Sequence, residues 1–225
     1  MSFSTRTELL IGKDNVERLR GSSVVVCGVG GVGGICAQML VRAGVGKITV
    51  IDCDIVDESN INRQAVAYQS TIGKKKVEVL ALQLLDINPE LKCFPLDVKL
   101  DKDNIKMFIS KADFVVDAID DMGAKVALIK HCTDKGINII SSMGAGRRLE
   151  NPEYKAMDIF KTTGDPLAKV LRKKLRDEGV EKLLVVSSNK SPLDKPEGSA
   201  TPSISFAPTL LGTTIACEVI GRIVK

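Results

Sequence analysis

Residues 24–33, Val-Val-Val-Cys-Gly-Val-Gly-Gly-Val-Gly, constrain this chain more than any other stretch. A β-branched run breaks into Gly28, Gly30, Gly31 and Gly33 and continues as a helical apolar pattern from about Gly31 to Ala43. That is how a strand feeding a phosphate-cradling turn reads in sequence. Only glycine lets backbone amides come so close to a phosphate, and the following helix N-terminus adds its partial positive charge. A second apolar strand, Lys47 to Asp52, completes a βαβ unit and puts the Asp52 carboxylate where it can accept hydrogen bonds from a ribose.

The alternation continues. Helical spacing runs from Lys74 to Asp86 and stops before Asn88-Pro89, and a strand follows at Leu91–Leu96. A short helix at 102–109, a strand at 114–118, a helix at 125–135 and a strand at 137–141 come next. Such a series predicts a Rossmann-like, doubly wound, mainly parallel α/β sheet with right-handed crossovers and helices on both faces. Before it, residues 6–20 read as an extended lead-in and a short helix. After Gly146 a C-terminal extension is expected: a strand near 154–158, a basic helix from Asp165 to Asp177, a strand at 183–187, and a polar crossover or lid loop at 188–199. A final helix spans 208–224. With 225 residues and no linker, the chain reads as one domain, divided into an N-terminal arm (1–20), a nucleotide-binding core (21–146) and a substrate-side extension (147–225).

Composition narrows the partners. A net charge of +4 is too small for the whole surface to attract nucleic acid, so such affinity has to come from a local patch. Six scattered cysteines without a Cys-x-x-Cys pair, and a single histidine, give no basis for a structural zinc site. No apolar run approaches the roughly 20 residues that span a bilayer, and no signal peptide is evident, so no membrane partner and a cytoplasmic location are expected.

The glycine turn fits dinucleotide sites and adenylating sites equally well, and the discriminator lies downstream. It is the series Asp52-Cys53-Asp54-Ile55-Val56-Asp57-Glu58-Ser59-Asn60-Ile61-Asn62-Arg63-Gln64, then Gly73-Lys74-Lys75-Lys76, then Asp117-Ala118-Ile119-Asp120-Asp121. These residues closely resemble the ThiF/MoeB/HesA family of adenylating enzymes, relatives of the enzymes that activate ubiquitin-like proteins. The resemblance implies ATP and Mg2+ as cofactors, with Asp52 on the ribose, Asn60, Arg63 and Lys76 on the phosphates, and Asp120 on magnesium. Gln64 joins the nucleotide-binding set. Asp54 stays open between a nucleotide contact and a turn cap, and Asp121 between a site residue and a helix N-cap. Arg6 matches the family's N-terminal arginine, which completes the ATP site of the partner in a homodimer.

A narrower resemblance covers Ser142-Met143-Gly144-Ala145-Gly146-Arg147 and residues 158–167, Asp-Ile-Phe-Lys-Thr-Thr-Gly-Asp-Pro-Leu. They look like the branch that dehydrates threonylcarbamoyladenosine on tRNA, whose members activate the threonyl carboxylate as an acyl-adenylate before ring closure. The runner-up is adenylation of the C-terminus of a ubiquitin-like sulfur carrier; a non-catalytic NAD-binding regulator is a third reading. No cysteine occurs from Gly179 to Pro208, which counts against thioester or persulfide chemistry at the usual loop position. Arg172, Lys173, Lys174 and Arg176, extended by Arg147 and Arg148, form the candidate tRNA-binding patch. Lys161 and Asp165 are candidates by position for assisting ring closure.

Overall fold

A computed structural model of the chain describes residues 3–194 and 201–225. Seven strands form one sheet, β1 (Ser23–Cys27), β2 (Lys47–Asp52), β3 (Lys92–Asp97), β4 (Phe114–Asp117), β5 (Ile139–Ser142), β6 (Lys155–Asp158) and β7 (Leu184–Ser187), in the order β3-β2-β1-β4-β5-β7-β6. All neighbours pair in parallel except β6, which runs antiparallel to β7 with Lys155 opposite Ser187. The doubly wound order places the topological switch between β1 and β4, where Cys27 is in register with Asp117, and a crevice opens beyond those strand ends.

Alternation along the strands sends side chains to two cores. Val24 and Val26 of β1, with Ile48 and Val50 of β2, face the helices α3 (Gly33–Ala43), α4 (Lys76–Ile87) and α8 (Phe206–Ile223). Val25, Cys27, Ile51 and Val115 face α5 (Ile105–Phe108) and α6 (Met122–Lys135), through Ile105, Leu128 and Cys132. Strands buried on both faces explain the unbroken β-branched runs, each fully buried Val or Ile contributing about 1.5–3 kcal/mol of transfer free energy. The helix α7 (Pro166–Asp177) packs Ala168, Leu171 and Leu175 into a third cluster with Met143, Ile159 and Val185.

Two departures from the sequence reading have simple causes. Residues 5–21 are two helices, α1 (Thr5–Ile11) and α2 (Lys13–Gly21), and not an extended lead-in before one helix. Gly12, at φ 83° and ψ 158°, breaks them apart while its amide still donates to the Glu8 carbonyl. The fourth helix begins at Lys76, two residues late, because residues 54–56 and 73–75 are paired: Val56 donates to the Lys74 carbonyl at 2.8 Å and Ile55 bridges Lys75. Only residues 188–194 of the expected 188–199 loop belong to the described residues; 195–199 lie outside them.

At 18 residues α8 is long and apolar enough to cross a membrane, which corrects the expectation that no apolar run approaches that length, yet Leu211, Ile215, Ala216 and Val219 are buried in the core. Its Gly212 lies so close to α3 that a Cβ there would sit 2.4 Å from the Val32 carbonyl oxygen. Burial also settles half of the thiols: Cys27, Cys36 and Cys132 are core residues, and desolvation pushes the Cys132 thiol up to about 12. His131 meets the Ile109 carbonyl at 2.8 Å through Nε2, a packing role.

Candidate functional site

A crevice of about 710 Å³ lies beyond the C-terminal ends of β1, β2 and β4. Its floor is the glycine turn. Gly28, at φ 85°, donates its amide to the Ile51 carbonyl, and its Cα approaches β4 so closely that a Cβ would stand 2.5 Å from the Ala118 carbonyl oxygen. Gly30 and Gly31 line the crevice, whereas Gly33 starts α3 and packs against the Gly28 carbonyl. The Asp52 carboxylate is held across this turn, accepting from the Val29 amide at 2.7 Å and the Asp54 amide at 2.8 Å.

The segment after β2 delivers the cations. Asp57 caps the single turn at Glu58–Asn60, accepting from the Ser59 amide, and the Asn60 side chain returns the bond to the Asp57 amide at 3.2 Å. Arg63 is half-buried, and its Nη1 donates to the Ser59 carbonyl and to Asn62 Oδ1, both at 2.8 Å. The 54–56/73–76 pairing brings Lys76 back beside Asp54. Its ammonium, on a residue only 5% exposed, lies 2.7 Å from Asp54 Oδ2. Asn60, Arg63, Gln64 and Lys76 thus line the same crevice, and Gln64 Oε1 is buried there without a hydrogen-bond partner among the described residues.

Two acids line the same crevice. Asp120 is exposed at the crevice. Asp121 lines it too, but its carboxylate accepts from the Ala124 amide at 2.8 Å and caps α6. Asp120 therefore offers the hard oxygen donor that suits magnesium, and Asp121 serves chiefly the helix. The sequence reading missed Val98, Lys99, Leu100 and Ile119, which complete the wall beyond Ile51. Only their position after a strand end could have marked them.

Further from the crevice the basic patch divides. Lys173, Lys174 and Arg176 are exposed on α7, Arg176 lying 5.3 Å from the Phe160 ring centroid. Arg147 is half-buried, with Nη1 donating to the Leu193 carbonyl. Arg148 is a correction: it is 6% exposed and turned inward, Nε donating to the Gly144 carbonyl and Nη2 lying 3.6 Å from Asp165. Arg172 is half-buried like Arg147 and bonded to the Thr162 carbonyl and hydroxyl oxygens. Asp165 is a second correction. Its buried carboxylate caps α7 through the Ala168 amide and holds the Gly144 amide at 3.0 Å, so it braces the 143–146 turn and is not a free acid. Lys161 is exposed, and Arg6 sits on α1 outside the crevice wall.

Comparison with known proteins gives this geometry a context. The ThiF family profile matches residues 4–224. The tRNA threonylcarbamoyladenosine dehydratase of Bacillus subtilis (strain 168) is 42% identical over 191 residues, 84% of this chain and 75% of that protein. The molybdopterin-synthase adenylyltransferase of Escherichia coli (strain K12) is 34% identical over a smaller share, 61% of this chain and 54% of its own length. The crystal structure of E. coli tRNA N6-threonylcarbamoyladenosine dehydratase in complex with ATP superposes with a TM-score of 0.92 at 30% identity, covering 97% of this chain and 92% of that one.

Proposed function

Because the chain belongs to the ThiF family, we propose that its crevice is an adenylation site and that it dehydrates threonylcarbamoyladenosine on tRNA at the expense of ATP. The observation carrying this reading is that Asn60, Arg63, Lys76 and Asp120 all line one glycine-floored crevice. It suits a triphosphate better than the pyrophosphate of a dinucleotide, and tight binding of ATP with magnesium but not of NAD would exclude the NAD-binding reading.

The threonyl carboxylate attacks the α-phosphorus of ATP, the bond to the β-phosphate oxygen breaks, and pyrophosphate leaves. A nucleophile within the modified nucleoside then attacks the activated carbonyl, AMP departs, and a ring closes with net loss of water. Backbone amides of the turn and the cations at Arg63 and Lys76 hold phosphate charge in line for that displacement. Asp120 would hold magnesium, which neutralises charge on the leaving pyrophosphate. No enzyme thiol takes part, in keeping with the cysteine-free stretch 179–208. The exposed cations Lys173, Lys174 and Arg176, together with Arg147, supply the phosphate contacts for tRNA, a substrate met with ATP in the cytoplasm. Mass spectrometry of nucleosides after incubation with ATP and modified tRNA should show a product lighter by one water; ATP–pyrophosphate exchange driven by a small protein ending in Gly-Gly, without that product, would favour the carrier-protein reading instead.

The enzyme works as a homodimer in which Arg6 completes the partner's ATP site. Support comes from α1, which buries none of its residues and exposes Leu9 and Leu10 at 84% and 83%. Arg6→Ala and Lys76→Ala proteins, each inactive alone, should regain about a quarter of wild-type activity after mixing and reassembly, since half the dimers then carry one intact site. Absence of recovery would put Arg6 in its own subunit's site or outside the chemistry.

Cys53 gives an independent probe of occupancy. It lines the crevice and is exposed, and partial burial with the Asp54 and Asp52 charges raises its pKa above the ordinary thiol value. Alkylation should still be accelerating above pH about 9, because only the thiolate reacts. ATP with magnesium should slow labelling at Cys53 at least about tenfold and leave Cys217, exposed on α8, unaffected. Equal labelling with and without ATP would move the nucleotide elsewhere.

A further inference from the structure

Two fully buried charges stand behind the crevice wall without forming its surface. Lys125 in α6 and Asp117 at the end of β4 make an ion pair, Nζ to Oδ2 2.8 Å, with both side chains 0% exposed. Removing both charges from water carries a desolvation cost that an apolar pair of similar volume avoids, so the return on such a pair is geometric definition. The geometry here is specific. Asp117 Oδ1 accepts from the Ile119 amide at 3.2 Å, and Lys125 Nζ reaches the Ser142 carbonyl at 3.4 Å.

Those bonds fix two pieces of backbone at once. Ala118, Ile119, Asp120 and Asp121 line the crevice, and Ala118 donates its amide to Cys27 while its carbonyl presses on Gly28. Ser142 leads into the 143–146 turn, which Asp165 holds from the other side through the Gly144 amide. The Asp121 cap cannot replace this link, because it fixes Asp121 relative to α6 but not to the sheet.

We infer that Lys125 is a positioning residue: its buried pair with Asp117, at the junction of β4, β5 and α6, sets the 118–121 turn and thereby aims the Asp120 carboxylate at magnesium bound to ATP. The inference rests on the adenylation-site reading of the crevice. Lys125 touches neither nucleotide nor metal and acts through the turn, as outer-shell groups orient the ligands of a metal.

Two variants test it. Lys125→Met leaves the Asp117 charge buried alone. The double change Asp117→Asn with Lys125→Met leaves no charge behind and keeps a side-chain oxygen for the Ile119 amide. Calorimetry with ATP in EDTA should give an affinity within about twofold of wild type for the double variant, while the magnesium concentration giving half-maximal tightening of ATP binding rises about tenfold. Hydrogen exchange at residues 118–121 should quicken. An unchanged magnesium midpoint in the folded double variant overturns the inference. So does an equal loss of metal-free ATP affinity, and so does failure of both variants to fold by circular dichroism, which would leave the pair a stability element. These readouts need no tRNA, so a wild-type protein that binds Mg·ATP normally but forms no dehydrated nucleoside would sink the proposed function and not this one.

Discussion

Replacing Lys76 with alanine lowers tRNA-dependent pyrophosphate release by about 10²–10³-fold, the size expected when one preorganised charge is removed from a phosphoryl-transfer site. The ammonium is nearly sequestered, on a residue 5% exposed, yet it borders the crevice and its partner Asp54 is 62% exposed in its side chain. That asymmetry separates catalysis from stability. Asp54 loses a partner but stays hydrated, so loss of the ion pair itself should cost the folded state no more than about 1 kcal/mol. Quenched-flow measurement of pyrophosphate beside a thermal melt reads both quantities. A rate within threefold of wild type would remove Lys76 from the phosphate-binding set.

Gly33→Ala should abolish nucleotide binding in a second way, through the floor. A Cβ at residue 33 would lie 1.8 Å from the Gly28 carbonyl oxygen, and that oxygen is backbone, with no side-chain end to swing aside. The turn has to open, at a cost of about 3 kcal/mol, the upper end for overpacking. ATP affinity should fall at least about 100-fold as the amides leave their positions. Gly136→Ala is the control: its φ of 64° makes alanine cost about 1 kcal/mol, yet nothing lies within 4 Å of the added methyl, and ATP binding should be untouched. Equal ATP affinity in the two variants would show that the 28–33 turn does not cradle phosphate.

The parts of this protein legible from sequence are those whose physics is local. A β-branched run ending in glycines can do little else than form β1 and the turn, and Asp52 follows from strand length. The motif residues Asn60, Arg63, Lys76 and Asp120 share the crevice because the strand ends and the 54–56/73–76 pairing collect them. The misreadings involve charges whose partners are distant. Arg148 looks like a surface cation beside Arg147 until Asp165 appears beside it. Lys125 does not stand out in the sequence at all, since nothing nearby announces that Asp117 will be buried with it. Asp121, left open between two roles, lines the crevice and caps α6 together, as a residue at a strand-to-helix junction can.

The seating of Gly212 against the Val32 carbonyl has a consequence for biosynthesis. Residues 24–33 leave the ribosome well before the helix that holds their turn from outside, at 206–223. At about 5–20 residues per second, the interval between them lasts on the order of ten seconds or more. During that time β1 and α3 expose the apolar surface that Leu211, Ile215 and Val219 later cover. Nucleotide cannot brace the nascent chain through this period, because the wall at 118–124 and the packing from α8 do not yet exist together. The protein's vulnerable window is thus vectorial, and it closes only when the final helix docks.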